Sequence, residues 1–552
     1  MLPDDTKQHR QAALSVTDHF QPETEKPIRV TIEILPADAL VEIFDFYRSD
    51  ALADSQLGDS PWPWDTLAHV CKKWRSVLLA SSGYLGLRVF FKNGLPVREI
   101  LSLYPFLPIA MQFVDAPGLR PLTPADQDNI TTLLELPTRL REVHLTVTPP
   151  LLEKIATLMQ QQFSVLEYLH LSALPELVLP SEFGGRMPRL RALRMVGIAL
   201  PALPQLLLST HGLVSLQLED LPSTGYTVEA LIICLPAMTR LKTLRIHFLF
   251  PTSRGFRPVL ISTDRPLSSF AVLPALNEIG FRGTPEYLEP LLSVISAPHL
   301  EYFHIDFFNQ LIFDTPQLSR FIIRTELQQS PTHATIHSSA DGIRLALTRP
   351  GLPHQFLLQI SCKQLDWQVP SIVEICDRLS STLAGVEQLQ ISASASFPGG
   401  QDDMDLIYSG VLELFRPFRN VTRLCVTEES LPLVSGALEL AAGTVEFVTE
   451  DSSIETLPEL KEIQTEKNAE LASARISLAP FIVARLRSTR PVVVRRKYPI
   501  VSRVLHRTPT NPEQLPREVT MLSRSLRHWG RCFLTVSGMC LNVETFIINN
   551  CP

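Results

Sequence analysis

Residues 166–171 read Leu-Glu-Tyr-Leu-His-Leu, and this short string decides the fold because it recurs along the chain. Its apolar residues stand at the first, fourth and sixth positions, which here are Leu166, Leu169 and Leu171. On a β-strand the fourth and sixth residues point to one face, and the residue between them points to the other. A single copy carries little information in a chain rich in leucine, whereas regular repetition is informative.

The complete string occurs ten times. Its first-position residues are Leu140, Leu166, Leu190, Leu213, Leu241, Leu276, Leu300, Leu318, Val386 and Val421. Leu460 and Ile463 begin a further copy. The first seven intervals are 26, 24, 23, 28, 35, 24 and 18 residues. Several of them match the period of leucine-rich repeats, about 20–29 residues.

This repeat predicts an α/β solenoid. One such strand cannot bury its apolar face alone, so stacked turns are expected to form a continuous core with a parallel sheet on the concave side. The intervening segments 149–163 and 225–238 have room for helices on the convex side. Residues 328–382 carry no clean copy, although 343–347 and 356–361 resemble strands. We therefore expect a distorted solenoid with one interruption.

The composition pattern predicts five segments. They are a flexible lead (1–30), a helical module (31–91), a proline-rich transition (92–138), the irregular solenoid (139–470), and a basic segment with an atypical C-terminal cap or tail (471–552). The last segment contains an arginine-rich stretch, 485–507, which either binds an acidic partner, serves nuclear import or is a basic surface. Near the end, Val543, Phe546, Ile548 and Asn550 fit one more repeat.

Composition argues against several classes of partner. The chain has 552 residues, of which 45% are hydrophobic and 19% charged, with a formal net charge of −7. This balance provides no global field for nucleic acid or an anionic membrane, so neither is an expected partner. The eight cysteines are scattered without metal-ligand spacing and are interpreted as small buried hydrophobic residues in a reducing compartment. Without a recognisable signal peptide or convincing transmembrane segment, we expect a cytoplasmic or nuclear protein.

Catalytic motifs are missing from the sequence. It contains no G-x-S-x-G, no P-loop, no H-E-x-x-H and no dinucleotide-binding fingerprint. The acidic cluster Asp402, Asp403 and Asp405 lacks the spacing of a calcium loop and is interpreted as a solvated loop. We therefore expect no catalytic residues, no metal site and no cofactor. An unrecognised hydrolase, the remaining enzyme hypothesis, requires a nucleophile and base clustered in a pocket.

The segment 32–91 carries a second pattern. Pro36 suits the first turn of a helix, and Leu40, Ile43 and Phe44 then fall on one helical face. A later string, Val-Cys-Lys-Lys-Trp-Arg at 70–75, lies on a second apolar face. Leu35-Pro36 followed by these two strings resembles the F-box, with a long insertion at 48–64. The whole chain resembles the large family of F-box proteins with degenerate leucine-rich repeats found in mushroom-forming fungi.

The resemblance implies a substrate-recognition subunit of a Skp–cullin–F-box ubiquitin ligase. The helical module would dock a Skp-type adaptor and so a cullin–RING ligase, while the repeats would hold an unknown protein substrate. The adaptor-binding residues it implies are Leu35, Pro36, Leu40, Ile43, Phe44, Val70, Cys71 and Trp74. The alternative for Leu40 and Trp74 is that they pack a small helical domain. The alternative for the whole chain is a non-degradative repeat scaffold.

Target binding is expected at the outward strand positions, which begin near His144 and end near Cys425. Tyrosine and arginine are favoured anchors in protein interfaces. The candidate residues on the concave face are Tyr168, His170, Arg194, Arg245, Tyr302, His304 and Arg320. The alternative is that each is a simple solvated strand residue.

Overall fold

A computed structural model describes most of the chain. The described residues are 35–54, 64–114, 121–155, 157–179, 186–221, 228–249, 271–308, 313–325, 331–351, 355–362, 365–394, 401–444, 456–465 and 471–496. The chain divides into two units, Met1–Arg495 and Arg496–Pro552, and all described residues except Arg496 belong to the first. The predicted flexible lead and the repeat-like residues Val543, Phe546, Ile548 and Asn550 lie outside the described residues.

Three helices open the described chain: α1 (Ala37–Asp54), α2 (Asp65–Val70) and α3 (Lys72–Ala80). We call residues 35–54 and 64–80 the head. Helix α3 packs against both α1 and α2. Leu40, Phe44 and Leu78 are buried between them because their helical spacing puts the apolar side chains on facing surfaces.

Sixteen of the described strands form one sheet, and two more form a small separate pair. The strands are β1 (Val89–Lys92), β2 (Ile109–Phe113), β3 (Leu140–Thr146), β4 (Tyr168–Val178), β5 (Ala192–Ala199), β6 (Ser215–Leu221), β7 (Thr243–Phe248), β8 (Ala271–Val272), β9 (Glu278–Gly283), β10 (Ile295–Ser296), β11 (Tyr302–Phe308), β12 (His333–Ser339), β13 (Gly342–Thr348), β14 (Gln355–Ser361), β15 (Gln388–Ala393), β16 (Arg423–Val426), β17 (Glu462–Thr465) and β18 (Val493–Arg496). The small pair is β8 with β10.

Helices separate most of these strands. They are α4 (Val97–Leu103), α5 (Pro124–Leu134), α6 (Pro149–Ile155), α7 (Leu203–Ser209), α8 (Val228–Cys234), α9 (Pro285–Val294), α10 (Pro316–Arg324), α11 (Leu365–Arg378), α12 (Ser380–Leu383), α13 (Gln401–Phe415), α14 (Leu431–Thr444), α15 (Leu471–Ser477) and α16 (Ala479–Arg487). Successive helices pack side by side, for example α7 on α8, α8 on α9 and α9 on α10. Each repeat therefore consists of a strand followed by a helix or an extended segment that leads to the next strand.

The register of the sheet confirms the repeat pattern. Leu169 pairs with Leu193 on the next strand, and Leu193 pairs with Leu216. All three side chains are buried, as are the sixth-position residues Leu171 and Met195. Equivalent apolar positions thus stack from strand to strand and form one continuous core, which is how a solenoid buries a face that no single turn could cover. The predicted α/β fold with a large, mostly parallel sheet is confirmed.

The expected interruption is a strand that runs antiparallel to both of its neighbours in the sheet. The sheet runs β11-β14-β13-β12-β15, with β13 antiparallel to both β14 and β12. The predicted strand segments 343–347 and 356–361 are β13 and β14. At the start of β13 a Cβ on Gly342 would lie 2.2 Å from the Ile360 carbonyl oxygen, so this close approach of two backbones requires glycine. Beyond the hairpin, β12 pairs in parallel with β15 and the solenoid resumes.

Gln368 at the start of α11 ties the helix to this hairpin. Its side chain is fully buried. Its amide nitrogen donates to the Ser339 and Cys362 carbonyl oxygens at 2.9 and 2.8 Å, and its amide oxygen accepts from Ser338 Oγ at 2.8 Å. Every polar atom of the buried amide therefore has a partner, as a buried polar network requires.

The predicted N-terminal limit of the solenoid, residue 139, needs correction. The sheet begins at β1, and the segment 92–138 contains its second strand, β2, together with the helices α4 and α5. Two of its prolines lie at helix starts: Pro96 precedes α4 and Pro124 occupies the first turn of α5. Asp126 and Thr123 form a reciprocal capping box at the start of α5. The carboxylate of buried Asp126 also accepts from the Gly94 backbone N–H at 2.7 Å, which connects α5 to the turn after β1.

The predicted C-terminal limit, residue 470, also needs correction, because α15, α16 and β18 continue the packing. Arg485, predicted as part of a basic surface, is buried and donates to the carbonyl oxygens of Pro458 and Leu460 at 3.0 and 3.1 Å. Arg487, Arg490, Arg495 and Arg496 are exposed. Lys497, Arg503 and Arg507 lie outside the described residues.

One predicted repeat copy is wrong. Leu318, Phe321 and Ile323 do not lie on a strand but on α10. The buried residues there are Leu318, Phe321 and Ile322, whose 0, +3, +4 spacing is helical, and Pro316 occupies the first turn. An apolar string of this length fits both a strand and a helix. Here the proline in the first turn favours the helix.

Candidate functional site

Along β5, β6 and β7, half-buried side chains alternate with buried ones, which leaves one face of the sheet partly exposed. The residues between the buried apolar positions point to it, and register pairing aligns them in rows across the strands. We call this side the ladder face. Its middle row is Gln112, His144, His170, Arg194, Gln217, Arg245, Gly280 and His304.

The structure brings six of the seven predicted target-binding residues onto the ladder face. His170, Arg194, Arg245 and His304 lie in the middle row, and Tyr168 and Tyr302 lie in the adjoining row. Their role in binding stays a prediction. The seventh residue, Arg320, is a correction: it is exposed on α10 and does not belong to the sheet. Its assignment depended on the repeat copy at 318–323, which forms a helix.

Ion pairs cross between neighbouring strands of the ladder face. Arg194 on β5 pairs with Glu219 on β6 at 2.7 Å. Arg245 on β7 donates from Nε to Glu278 on β9 at 2.7 Å. These pairs are half-buried, so screening by solvent is weaker than at an open surface.

A third pair lies one row further along the strands. Arg282 on β9 contacts Asp306 on β11 at 3.3 Å and lies over the Phe308 ring, 5.6 Å from its centroid. Ser361 Oγ donates to the same Asp306 carboxylate at 2.8 Å. Burial is the main reason why the pKa of Asp306 is raised, and Arg282 and Arg344 oppose that rise.

Histidines occupy the spaces between these pairs. The His144 ring stacks on Tyr168 at 4.5 Å and meets His170 edge-on at 5.4 Å between centroids. Burial lowers the pKa of His170, His247 and His304 to about 4 in each case. These rings are therefore neutral at neutral pH. The Nε2 atoms of His170 and His304 are buried and have no hydrogen-bond partner among the described residues.

Sequence reasoning did not select several residues of this face. Glu219, His247, Arg282 and Asp306 belong to the row that follows the last apolar position of each repeat. Strand alternation continued by two residues beyond Arg194, Arg245 or His304 would have found this row. On β6 the register shifts after Leu218, and such a bulge redirects side chains in a way that alternation does not predict.

The head divides the predicted adaptor-binding residues into two groups. Pro36, Ile43 and Val70 are exposed, and Leu35 and Cys71 are half-buried. Two apolar residues not predicted from the sequence join the exposed group: Phe46 is 75% exposed and Tyr47 is 40% exposed. Tyr47 Oη lies 3.1 Å from Thr66 Oγ1, which brings this side of α1 against α2, where Val70 follows one turn later.

Leu40, Phe44 and Trp74 form the other group and are buried. The rings of Phe44 and Trp74 meet edge-on with centroids 5.1 Å apart. In this structure these three residues pack the core of the head, so the packing interpretation describes them. Trp74 Nε1 is buried without a hydrogen-bond partner among the described residues, which is unusual for an indole N–H.

A tryptophan joins the head to the first turn of the solenoid. Trp64 is buried, and its Nε1 donates to the Arg88 carbonyl oxygen at 3.1 Å. Its ring meets Tyr104 edge-on at 5.4 Å between centroids. The head is thus packed onto the start of the sheet rather than tethered by a linker.

Among the described residues, no helix combines the length and apolar character needed to cross a bilayer. Also within the described ranges, no group of three or more His, Cys, Asp or Glu side chains is arranged to hold a metal ion.

Comparisons with known proteins give little. No protein-family model and no curated protein matches the chain. Among solved structures, the leucine-rich repeat-containing protein LegL7 from Legionella pneumophila is 10% identical, with 74% of this chain and 99% of that chain covered. The TM-score is 0.23, and a superposition this weak carries no argument about function.

Proposed function

We propose that this chain is a non-catalytic receptor with two binding surfaces, one on the head and one on the ladder face. The head binds a Skp-type adaptor and through it a cullin–RING ubiquitin ligase, while the ladder face binds the protein target. The observation that carries this proposal is the co-occurrence of an exposed apolar cluster on the head with a row of half-buried polar groups on the sheet.

The head supports the adaptor half of the proposal through its exposed apolar side chains. Ile43, Phe46 and Val70 are 42, 75 and 55% exposed on two adjacent helices. Contiguous apolar patches on soluble proteins commonly mark interaction sites. Aromatic and aliphatic anchors surrounded by polar residues are typical of binding hot spots.

The mechanism is positional. The receptor breaks and forms no bonds; it holds a target near the ligase and so raises the effective concentration of a target lysine. For this purpose the two surfaces need a fixed separation. The Trp64 contacts with Arg88 and Tyr104 supply rigidity at the junction between head and solenoid.

Co-purification with a Skp-type adaptor tests the proposal. The double variant Ile43→Asp/Phe46→Asp places two charges in the exposed cluster, and we expect adaptor yield to fall at least about tenfold, since hot-spot losses are typically 2 kcal/mol or more. Leu35→Ala/Pro36→Ala tests the start of α1 in the same assay. The matched control is Ile233→Asp, which introduces the same charge at a residue 68% exposed on α8.

Full adaptor yield from the double variant would refute the docking surface. If the wild-type chain fails to bind adaptor at all, the ligase assignment fails, and a non-degradative repeat scaffold becomes the better description. The circular dichroism spectrum of each variant verifies that the solenoid remains folded.

A further inference from the structure

Several arginines on the sheet pair with a carboxylate on the strand that comes next. The pairs of this kind are Arg194 with Glu219, Arg245 with Glu278, Arg282 with Asp306 and Arg423 with Glu462. Their strands are direct neighbours in the sheet, as β5-β6, β7-β9, β9-β11 and β16-β17. Each of these guanidinium groups therefore reaches forward by one strand, to the following turn of the solenoid.

Arg495 departs from this pattern because it lies on β18, the last strand. No described strand follows β18 in the sheet, so Arg495 reaches back instead, and its Nε lies 3.7 Å from a Glu462 carboxylate oxygen. The same carboxylate already contacts Arg423 at 3.3 Å. Two guanidinium groups thus share one carboxylate, which leaves an excess of positive charge at this end of the sheet.

The excess charge is open to solvent. The side chain of Arg495 is 67% exposed, and its 3.7 Å contact with Glu462 is longer than a hydrogen bond. No Asp or Glu occurs in the sequence between Glu470 and Glu513, so the segment that carries β18 brings no carboxylate of its own. A carboxylate from another molecule therefore reaches Arg495 without breaking a hydrogen bond between the two side chains.

The backbone of β18 offers hydrogen-bonding groups at the same edge. The Val493 N–H donates to the Lys461 carbonyl oxygen at 3.0 Å and so faces β17. Successive peptide groups of a strand face opposite sides, so the Val494 N–H faces away from β17, where no described strand lies. The buried side chains of Val492 and Val494 hold β18 in place. An edge of this kind is a template for pairing with another strand.

The helix before β18 leaves apolar side chains uncovered at the end of the stack. Helix α16 packs on α14 and α15. Val483 and Leu486, three residues apart on one face of α16, are 45 and 56% exposed. Terminal turns of repeat proteins need a polar outer face to stay soluble, so these apolar residues indicate that a partner covers this end.

The charge at the edge selects among candidate occupants. A second copy of this chain would bring its own Arg495 to the edge, and like charges opposite each other are destabilising. A membrane surface would meet the arginine but would leave the backbone groups of the edge without hydrogen-bond partners. An extended peptide that carries carboxylates satisfies both the arginine and the backbone.

We propose that the outer edge of β18 binds an extended acidic segment of a partner protein as an additional β-strand. A carboxylate on the ladder-face side of that strand pairs with Arg495 and so continues the forward pattern of the earlier strands. The alternate side chains are apolar, because they lie on the side of buried Val494. This site does not depend on the adaptor assignment or on target binding elsewhere on the ladder face.

Fluorescence anisotropy with synthetic peptides tests the proposal on the full chain. The probe is a labelled peptide with the core Glu-Val-Glu-Val-Glu-Val. One control has glutamine in place of each glutamate, a second has the core Glu-Glu-Glu-Val-Val-Val, and a third is the probe methylated on its backbone nitrogens. We expect the probe to bind at least about tenfold more tightly than each control, because only the probe combines carboxylates, alternation and backbone donors.

Variants then assign the contacts. Arg495→Gln should reduce the preference for glutamate over glutamine to less than about threefold, and Arg495→Lys should retain part of it. Val494→Pro removes the outward N–H, which an edge strand tolerates, and should weaken binding of the probe and of its glutamine control. Arg475→Gln, at an exposed arginine on α15, is the matched control and should leave binding unchanged. Thermal melts identify any variant that is simply unfolded.

Several outcomes would overturn the proposal. On the wild-type chain they are equal binding of the glutamate and glutamine peptides, and undiminished binding of the methylated peptide. A glutamate preference that survives Arg495→Gln also refutes it. Sedimentation velocity and sedimentation with phosphatidylserine vesicles test the other occupants. Self-association or vesicle binding that is lost in Arg495→Gln, without any binding of the probe by the wild-type chain, would assign the edge to a second copy or to a membrane.

Discussion

Replacing Asp126 with alanine tests whether residues 92–138 form a turn of the solenoid or a linker. The buried carboxylate accepts from the Gly94 N–H at 2.7 Å, the Thr123 N–H at 3.0 Å and Thr123 Oγ1 at 2.6 Å. Asp126→Ala removes all three acceptor contacts and half of the capping box. In a linker, the same substitution would have little effect on stability.

The expected loss is about 2–3 kcal/mol. Removal of a helix cap costs about 1 kcal/mol, and each donor left without a partner costs about 1–3 kcal/mol. Gly94 is exposed and Thr123 is half-buried, so water replaces part of both contacts and holds the expected total below the simple sum. In a repeat protein the loss falls on the turn that contains it.

Hydrogen exchange measured by mass spectrometry suits a local effect of this kind. In Asp126→Ala, amides of β1, β2 and α5 should exchange about 30 to 150 times faster, which is the opening free energy converted at 1.4 kcal/mol for each factor of ten. The matched control is Asp128→Ala on the same helix. Asp128 is 77% exposed and reaches Lys154 only at 3.7 Å, so its loss should change exchange less than about threefold. Equal exchange in the two variants would refute the reasoning.

Two further predictions concern the interruption and the histidines. Gln368→Leu leaves Ser338 Oγ and the carbonyl oxygens of Ser339 and Cys362 without their hydrogen-bond partner. The opening free energy of β12, β13 and β14 should therefore fall by about 2–4 kcal/mol, and their amides should exchange faster. Faster exchange confined to other strands would contradict the assigned network. In the folded protein His170, His247 and His304 have pKa values of about 4, against 6.5 for the unfolded ring. Between these two pH values the unfolded state binds more protons than the folded state, so stability falls as the pH drops. The urea midpoint of unfolding should therefore decrease from pH 6.5 toward pH 4. The triple phenylalanine variant should show a shallower fall, and an unchanged slope would show that these rings do not cause it.

The strand positions were predictable because they depend on local spacing. Nine of the ten complete copies lie on or directly before strands of the sheet, as with Leu166 ahead of β4 and Leu276 ahead of β9. The copy at Leu318 failed because its spacing also fits a helix started by Pro316. Strands β1 and β2 were missed because their neighbouring prolines, at 96, 105 and 108, suggested a linker.

The composition of the ladder face was only partly predictable. Alternation places His170, Arg194 and His304 outward from any repeat copy. Their partners belong to other turns: Glu219 lies 25 residues after Arg194. Such pairs depend on register between strands, which the spacing of one copy does not contain.

By itself, the sequence determined that this chain stacks strands into a repeated α/β sheet, because apolar periodicity is a local property with one stable way of burying its surface. Only the tertiary structure decided that β13 runs antiparallel within that sheet and that Phe46 is exposed while Phe44 is buried. It also decided that the Nε2 atoms of His170 and His304 have no hydrogen-bond partner among the described residues. These features arise from contacts between residues distant in the chain. Whether a polar atom is satisfied depends on what the neighbouring turns bring to it, and no local pattern records that.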